Sequence, residues 1–97
     1  MEQDAQTTEQ KIELPKGKQI GKITHYFSKI GVGVLELDSG LKVGDTIVIA
    51  ASHGDFEQVV DSMQVEHDQV SAAKKGDAVG LKVAQQVKEG NLVYLKG

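Results

Sequence analysis

The chain contains no cysteine and no tryptophan, and its one proline is Pro15. Without cysteine there is no disulfide framework, no thiolate nucleophile and no zinc–thiolate site. Two tyrosines and two phenylalanines make up the whole aromatic content, so few side chains can stack on nucleic-acid bases. These absences exclude disulfide-stabilised scaffolds and zinc fingers.

Arginine is also absent, because all eleven basic residues are lysine, and fourteen acids bring the formal net charge to −3. Tight nucleic-acid binders usually have a basic surplus and use the planar fork of arginine. No apolar run approaches the roughly 18 residues that span a bilayer, and the first residues lack the features of a signal peptide. We expect a cytoplasmic protein that binds no DNA and no membrane.

The 97 residues are enough for one domain. Residues 1–16 are polar, and a segment of this composition buries too little apolar area to offset the entropy lost on ordering. We therefore predict a disordered tail over residues 1–16 and one folded domain over residues 17–97.

Beyond Lys18, short runs of branched and aromatic residues alternate with glycine turns at a spacing of roughly 8–12 residues, which is typical of all-β sandwiches and barrels. Residues 70–75 are the only candidate helix and are too short for more than a turn before Gly76. The pattern predicts strands near residues 19–28, 31–37, 46–51, 57–67, 78–86 and 91–96.

Two glycine–acid pairs, Gly44-Asp45 and Gly76-Asp77, are each followed at once by a strand-forming run. Glycine adopts positive φ easily, and an aspartate side chain can accept hydrogen bonds from nearby backbone N–H groups, so both pairs predict tight turns. The glycine-rich stretch 31–34 leads into another strand and not into a helix. It therefore predicts a bulged or closely approached hairpin and not a phosphate-binding loop.

The residues that most often carry chemistry form no recognisable motif. The three histidines, His25, His53 and His67, are too far apart in sequence for a paired metal-ligand motif. No turn marks a serine or another residue as a nucleophile. We therefore expect no metal, no cofactor and no catalytic residue, and we do not expect an enzyme.

The best candidate contact surface surrounds the first predicted strand and comprises Lys18, Lys22, His25, Tyr26 and Lys29. Regular alternation places Lys18, Lys22 and Tyr26 on one face. A base stacked on Tyr26 beside lysine–phosphate contacts is a mode of weak RNA binding. The alternative is an ordinary solvated strand face, with Tyr26 at the edge of the fold.

Several short stretches occur in a familiar order. Residues 31–34, 41–47, 60–65 and 76–81 together resemble the second domain of translational GTPases such as elongation factor Tu. Residues 21–27 and 62–67 look like the elongation-factor-like domain appended to collagenase-like peptidases, and like its small stand-alone relatives. The resemblance covers nearly all of the chain beyond the predicted tail.

The resemblance implies a closed Greek-key β-barrel of about six strands. In the GTPases this domain contacts aminoacyl-tRNA or ribosomal RNA and packs on a nucleotide-binding domain. This chain has no Walker-type Gly-Lys-Ser/Thr, so we expect it to bind no nucleotide. Ala78 stands where tRNA-binding factors carry a pocket asparagine, and Val32 stands where many carry a basic residue, which weakens the case for tRNA recognition.

Together these features predict a stand-alone, non-catalytic binding or adaptor module that docks to a protein or a ribonucleoprotein complex. Two alternatives stay open. One is a weak RNA-binding module for tRNA or rRNA. The other is a detached accessory domain of a collagenase-like peptidase or an RNA-modification enzyme. Fold alone does not decide among them.

Overall fold

The computed structural model of the chain describes residues 14–96, which form ten β-strands and no helix. The all-β prediction is confirmed. Residues 1–13 and Gly97, and with them most of the predicted tail, lie outside the described residues, so the boundary between residues 16 and 17 stays a prediction. The strands are β1 (Gln19–Phe27), β2 (Val32–Leu37), β3 (Leu41–Lys42), β4 (Thr46–Ala51), β5 (Gly54–Val59), β6 (Met63–Val65), β7 (Asp68–Val70), β8 (Ala72–Ala73), β9 (Ala78–Lys82) and β10 (Leu92–Leu95).

Eight strands form one antiparallel sheet in the order β5-β4-β10-β1-β2-β9-β6-β7, and β3 pairs with β8 in a second sheet. Six strands have four residues or more, which matches the number that the sequence pattern predicts. Over residues 14–96 the eight-stranded sheet ends at β5 and β7, and no strand ladder joins these two edges. The closed Greek-key barrel therefore stays a prediction.

One hydrophobic core packs against this sheet. In β2, Leu35 and Leu37 are buried while Glu36 between them is exposed, as expected for a strand with one face on the core. Burying a side chain of this size contributes about 1.5–3 kcal/mol. The core comprises Ile20, Ile23, Leu35, Leu37, Leu41, Ile47, Ile49, Ala51, Phe56, Val60, Met63, Val79, Leu81, Val83, Val87 and Val93.

Three turns share one geometry, and each leads directly into a strand: residues 42–45 before β4, 74–77 before β9 and 88–91 before β10. In each turn the side-chain oxygen of the final Asp or Asn accepts a hydrogen bond from the N–H of the lysine three residues earlier, at 2.9–3.0 Å. The N–H of the Asp or Asn donates in return to that lysine's carbonyl, at 3.0–3.1 Å. The intervening glycine has φ between 94° and 100°. The predicted glycine–acid turns are confirmed.

The strand predicted over residues 57–67 is interrupted. The chain leaves β5 after Val59, because Val60 bonds to the turn before β4: its N–H donates to the Asp45 carbonyl at 2.9 Å and its carbonyl accepts from Gly44 at 2.8 Å. The hairpin between β6 and β7 then turns through Glu66 and His67, whose φ values are 52° and 71°. Two positive φ values match a type I′ hairpin turn, for which Asn-Gly is the usual sequence.

Residues 70–75 contain no helical turn. Val70 is the last residue of β7, Ala72 and Ala73 form β8, and the tight turn before β9 follows. The pairing of β8 with β3 therefore replaces the candidate helix.

Gln58 connects two parts of the fold that no ladder joins. Its Nε2 donates to the Lys82 carbonyl at 2.8 Å, and its Oε1 accepts from the Ala84 N–H at 2.7 Å. The partner of β9 on this side is β6, whose pairing extends only to Gly80. The amide of Gln58 thus takes the place of a neighbouring strand beyond that point.

Replacing Gln58 by alanine removes both hydrogen bonds. Because each neutral bond contributes about 0.5–1.5 kcal/mol and this site is partly open to water, we expect Gln58→Ala to lower the free energy of unfolding by about 1 kcal/mol. Urea unfolding monitored by circular dichroism measures this. Gln85→Ala, an exposed glutamine in the neighbouring segment, is the matched control and should change stability by less than about 0.5 kcal/mol. Equal effects of the two variants would contradict the role assigned to Gln58.

Candidate partner-binding surface

Strand β1 contains a bulge that decides which of its side chains face outward. Its register against β2 shifts between Ile23 and His25, so Thr24 is the extra residue. The Thr24 hydroxyl donates a hydrogen bond to the Val34 carbonyl at 3.3 Å. A bulge of this kind breaks the regular alternation of a strand.

The bulge moves Tyr26 off the face that carries Lys22. Before the bulge Lys22 is exposed, whereas after it His25 and Phe27 are exposed and Tyr26 is half-buried against the core. The grouping of Tyr26 with Lys22, which assumes a regular strand, is therefore wrong. Phe27 is the aromatic residue that meets solvent.

The five candidate contact residues do not come together. Lys18 precedes β1, where its carbonyl accepts a hydrogen bond from the Leu95 N–H at 2.8 Å. Lys29 lies in the turn after β1. β1 has nine residues, and a strand rises about 3.3 Å per residue, so these two lysines lie beyond opposite ends of a strand roughly 26 Å long. Lys22 and His25 are exposed between them.

The turn that joins β1 to β2 carries two large, exposed apolar side chains. The exposed fractions of Phe27 and Ile30 are 52% and 60%. The ring of Phe27 stacks on His25, with a centroid separation of 6.4 Å and an interplanar angle of 24°. Sequence reasoning missed both apolar residues, and the available signal was an apolar pair placed in a turn-forming stretch.

Backbone hydrogen bonds hold this turn in place. The N–H groups of Ile30 and Gly31 both donate to the Phe27 carbonyl, at 3.2 and 2.9 Å, and the Gly31 carbonyl accepts from Val83 at 3.0 Å. A Cβ on Gly33 would meet Val83 and Val87 at 3.4 and 3.5 Å, so the segment after β9 packs closely on β2. The glycine-rich stretch lies in a hairpin that leads into β2, as predicted.

We refer to one end of the fold as the tip end. It comprises the β1–β2 turn (residues 27–31), the segment between β9 and β10 (residues 83–91) and the β4–β5 turn (Ser52 and His53). The three parts are linked, because Val83 bonds to the first turn and His53 Nε2 lies 2.9 Å from the Gln86 carbonyl oxygen. His25 Nδ1 and Glu89 Oε2 are 3.7 Å apart, but both side chains are exposed, so this contact adds little stability.

Asp55, at the start of β5, anchors the segment that precedes β1. Its Oδ2 accepts from the Leu14 N–H at 3.0 Å and lies 2.6 Å from Lys16 Nζ, which is 5.8 Å from the centre of the Tyr94 ring. The Asp55 side chain is only 9% exposed. Burial by itself raises the pKa of Asp55, but the hydrogen bonds from Lys16 and Leu14 and the charge of Lys16 outweigh it and lower the pKa. Asp55 thus holds Leu14 and Lys16 next to the β4–β5 turn of the tip end.

The histidines lie in separate places: His25 in β1, His53 in the β4–β5 turn and His67 in the β6–β7 turn. Over residues 14–96 the structure contains no group of three or more His, Asp or Glu side chains placed to hold a metal ion. The described part of the chain also lacks any helix of the length and apolar character needed to cross a membrane.

Comparison with curated proteins finds relatives that are named as peptidases. The chain is 45% identical over 78 residues to a Methanocaldococcus jannaschii protein named as an uncharacterized protease, a match that covers 79% of this chain and 19% of that protein. It is 35% identical over 77 residues to a collagenase of Porphyromonas gingivalis, covering 77% of this chain and 21% of the collagenase. The chain thus spans about a fifth of the length of these relatives.

Comparison with solved structures finds the same fold in one part of a peptidase. Two crystal structures of the C-terminal domain of a Geobacillus thermoleovorans protein named as a U32 peptidase give TM-scores of 0.76 and 0.77 at 18% identity. They cover 80% and 82% of this chain, and 99% and 93% of theirs. No protein-family model matches the chain.

The anchor at Asp55 predicts a pH-dependent contribution to stability. Because the pKa of Asp55 is lower in the folded than in the unfolded state, its contribution is present above the unfolded pKa of about 4 and is lost as the pH falls through the folded pKa. We expect Asp55→Asn to cost about 1–2 kcal/mol near neutral pH, and the difference from wild type to shrink below about pH 4. Urea unfolding at several pH values measures it.

The exposed Asp68→Asn is the control for the Asp55 experiment, because Asp68 lies on the edge strand β7. We expect its effect to be small at every pH. A constant difference between wild type and Asp55→Asn from neutral to acid pH would contradict the anchor.

The bulge at Thr24 predicts that two adjacent aromatic residues contribute unequally to stability. Tyr26 packs on the core, so Tyr26→Ala should lower the free energy of unfolding by about 2–3 kcal/mol. Phe27→Ala should change it by less than about 0.5 kcal/mol, because the Phe27 ring is largely exposed. Thermal unfolding of the two variants measures both. A larger loss for Phe27→Ala than for Tyr26→Ala would contradict this register of β1 against β2.

Proposed function

We propose that the chain is the non-catalytic accessory module of a U32-type, collagenase-like peptidase, and that it works by docking onto the larger part of such a protein. That larger part belongs to the same polypeptide or to a separate one. The observation that carries the proposal is that the sequence match is strong but confined to about a fifth of the named protease. The catalytic work of such a protein is then done by the other four-fifths.

Two further observations support a binding role. The described residues have the fold of a domain that was solved separately as the C-terminal part of a U32 peptidase. The tip end presents exposed apolar side chains, which are a common feature of protein-binding surfaces. The histidines, in contrast, lie in three different parts of the fold.

Docking to a ribonucleoprotein complex, or directly to tRNA or rRNA, has less support. The candidate lysines are spread along the whole of β1, and the ring of Tyr26 is half-buried. Base stacking needs an accessible ring face next to the phosphate contacts. RNA is therefore a competing ligand for experiment to exclude and not the expected one.

We also propose that the sheet closes into the barrel that the resemblance to elongation factors implies. We infer that the eight-stranded sheet curls around its core until β5 lies beside the end of β9. Two observations support this closure: Gln58 of β5 bonds to the backbone at Lys82 and Ala84, and Phe56 and Leu81 belong to one core cluster.

Calorimetry of the M. jannaschii protein tests the proposed function. Three forms are compared: the intact protein, a form lacking the region matched by this chain, and a hybrid in which residues 1–97 of this chain replace that region. We expect the deletion to lower the unfolding temperature of the remaining part and the hybrid to restore much of it, because docking stabilises both partners.

The same unfolding temperature for the remaining part in all three forms would contradict docking. The purified 97-residue chain supplies a second check, since it should not hydrolyse gelatin under conditions in which an intact collagenase-like relative does. Hydrolysis that copurifies with the chain would contradict the non-catalytic role.

A further inference from the structure

We infer that the module docks through the tip end, with Phe27 and Ile30 as the central contacts, onto an apolar depression with an acidic rim in the catalytic part of the peptidase. This inference rests on the proposed function and adds the surface and the chemistry of the partner. Nothing in the sequence motifs assigns a role to Phe27 or Ile30.

The first ground is the exposure of two neighbouring apolar side chains. Phe27 and Ile30 are 52% and 60% exposed and stand three residues apart in one turn. Isolated exposed apolar residues are common on protein surfaces, whereas an aromatic and a branched aliphatic side chain at the end of a hairpin form a protruding contact. Aromatic residues of this kind often supply most of the binding energy of an interface.

The second ground is that the turn cannot easily fold back to bury them. Two N–H groups close the turn on the Phe27 carbonyl, and the Gly31 carbonyl is bonded to Val83. Gly31 has a φ of 67°, a conformation that most residues avoid. Val83 is itself part of the core. A turn fixed in this way loses little entropy when it binds, which favours affinity.

The third ground identifies the partner by the path of the chain. Leu14, the first described residue, is held by Asp55 at the start of β5, directly after the β4–β5 turn of the tip end. In the solved peptidase this fold is the C-terminal domain, so the rest of that protein precedes it. A preceding domain linked through Leu14 would approach this fold from the tip end.

The charged residues around the tip end indicate which charge the partner surface carries. Lys29 in the turn, Lys82 with its Cε near Gly31, and Lys88 are exposed at or beside the tip end, against one exposed acid, Glu89. Complementary charge across an interface speeds association and excludes wrong partners. The lysines disfavour a basic partner, and the exposed apolar side chains of Phe27 and Ile30 favour an apolar depression flanked by carboxylates over a polyanion.

Hydrogen–deuterium exchange tests the inference on the same hybrid protein, with the isolated 97-residue chain as reference. We expect amide exchange of residues 27–31 to slow at least tenfold in the hybrid, and the double variant Phe27→Ser/Ile30→Ser to abolish this protection. The matched control is Val59→Ser, since Val59 is 50% exposed but lies on the edge strand β5. It should leave the protection unchanged. Melting of each isolated variant verifies that it is folded.

The other outcomes separate the two proposals. Protection that appears on another face, with residues 27–31 unaffected, overturns the tip-end inference and leaves the accessory role standing. If no amide of the module exchanges more slowly in the hybrid than in the isolated chain, and the two parts of the hybrid unfold independently, both the tip-end inference and the accessory role are overturned.

Two measurements on the isolated chain address other occupants of the tip. Slower exchange of residues 27–31 as the protein concentration rises would assign the tip to a second copy of this chain. Slower exchange on adding unfractionated tRNA at about 50 mM salt would assign it to RNA. Either result overturns docking to the peptidase.

Discussion

The arrangement of the sheet depends on one repeated constraint, the reciprocal hydrogen bonding between a lysine backbone and an Asp or Asn three residues later. Asp45, Asp77 and Asn91 each close such a turn and are followed directly by β4, β9 and β10. Because the side chain and the backbone of the same residue are both engaged, the first residue of each strand is fixed in position. A one-residue slip would turn every core side chain of that strand outward, so these turns protect the burial of residues such as Ile47 and Val79.

Two of these three turns lie at one end of the molecule, and the third lies at the tip end. The turns before β4 and β9 lie at the end opposite the β1–β2 turn and close on themselves through polar bonds. The tip end contains the polar turn at residues 88–91, but its turn at residues 27–31 is held by backbone bonds alone, so the side chains of Phe27 and Ile30 are left available. Asp55 holds Leu14 near the same end. An accessory module needs one surface for its partner and a stable scaffold behind it, and this division supplies both.

Much of this fold is predictable from local chemistry. The spacing of short apolar runs identifies most of the strands, and the glycine–acid pairs locate their turns, because both depend on residues close in sequence. The interruption at Val60 depends on bonds to the distant residues Gly44 and Asp45. Phe27 is exposed in place of Tyr26 because of a bulge in β1, and this bulge arises from the pairing of β1 with β2. Contacts of this kind leave no periodic trace in the sequence, and for that reason regular alternation selects the wrong aromatic residue for the exposed face.

The amide of Gln58 has a consequence for behaviour at high concentration. An exposed strand edge offers unpaired N–H and C=O groups on which another molecule can add a strand, and this is a common route to aggregation. At the end of β9 the Lys82 carbonyl and the Ala84 N–H are already occupied by one side chain of the same molecule. A glutamine thus blocks intermolecular strand addition at this point without the extra strand that a longer domain would use.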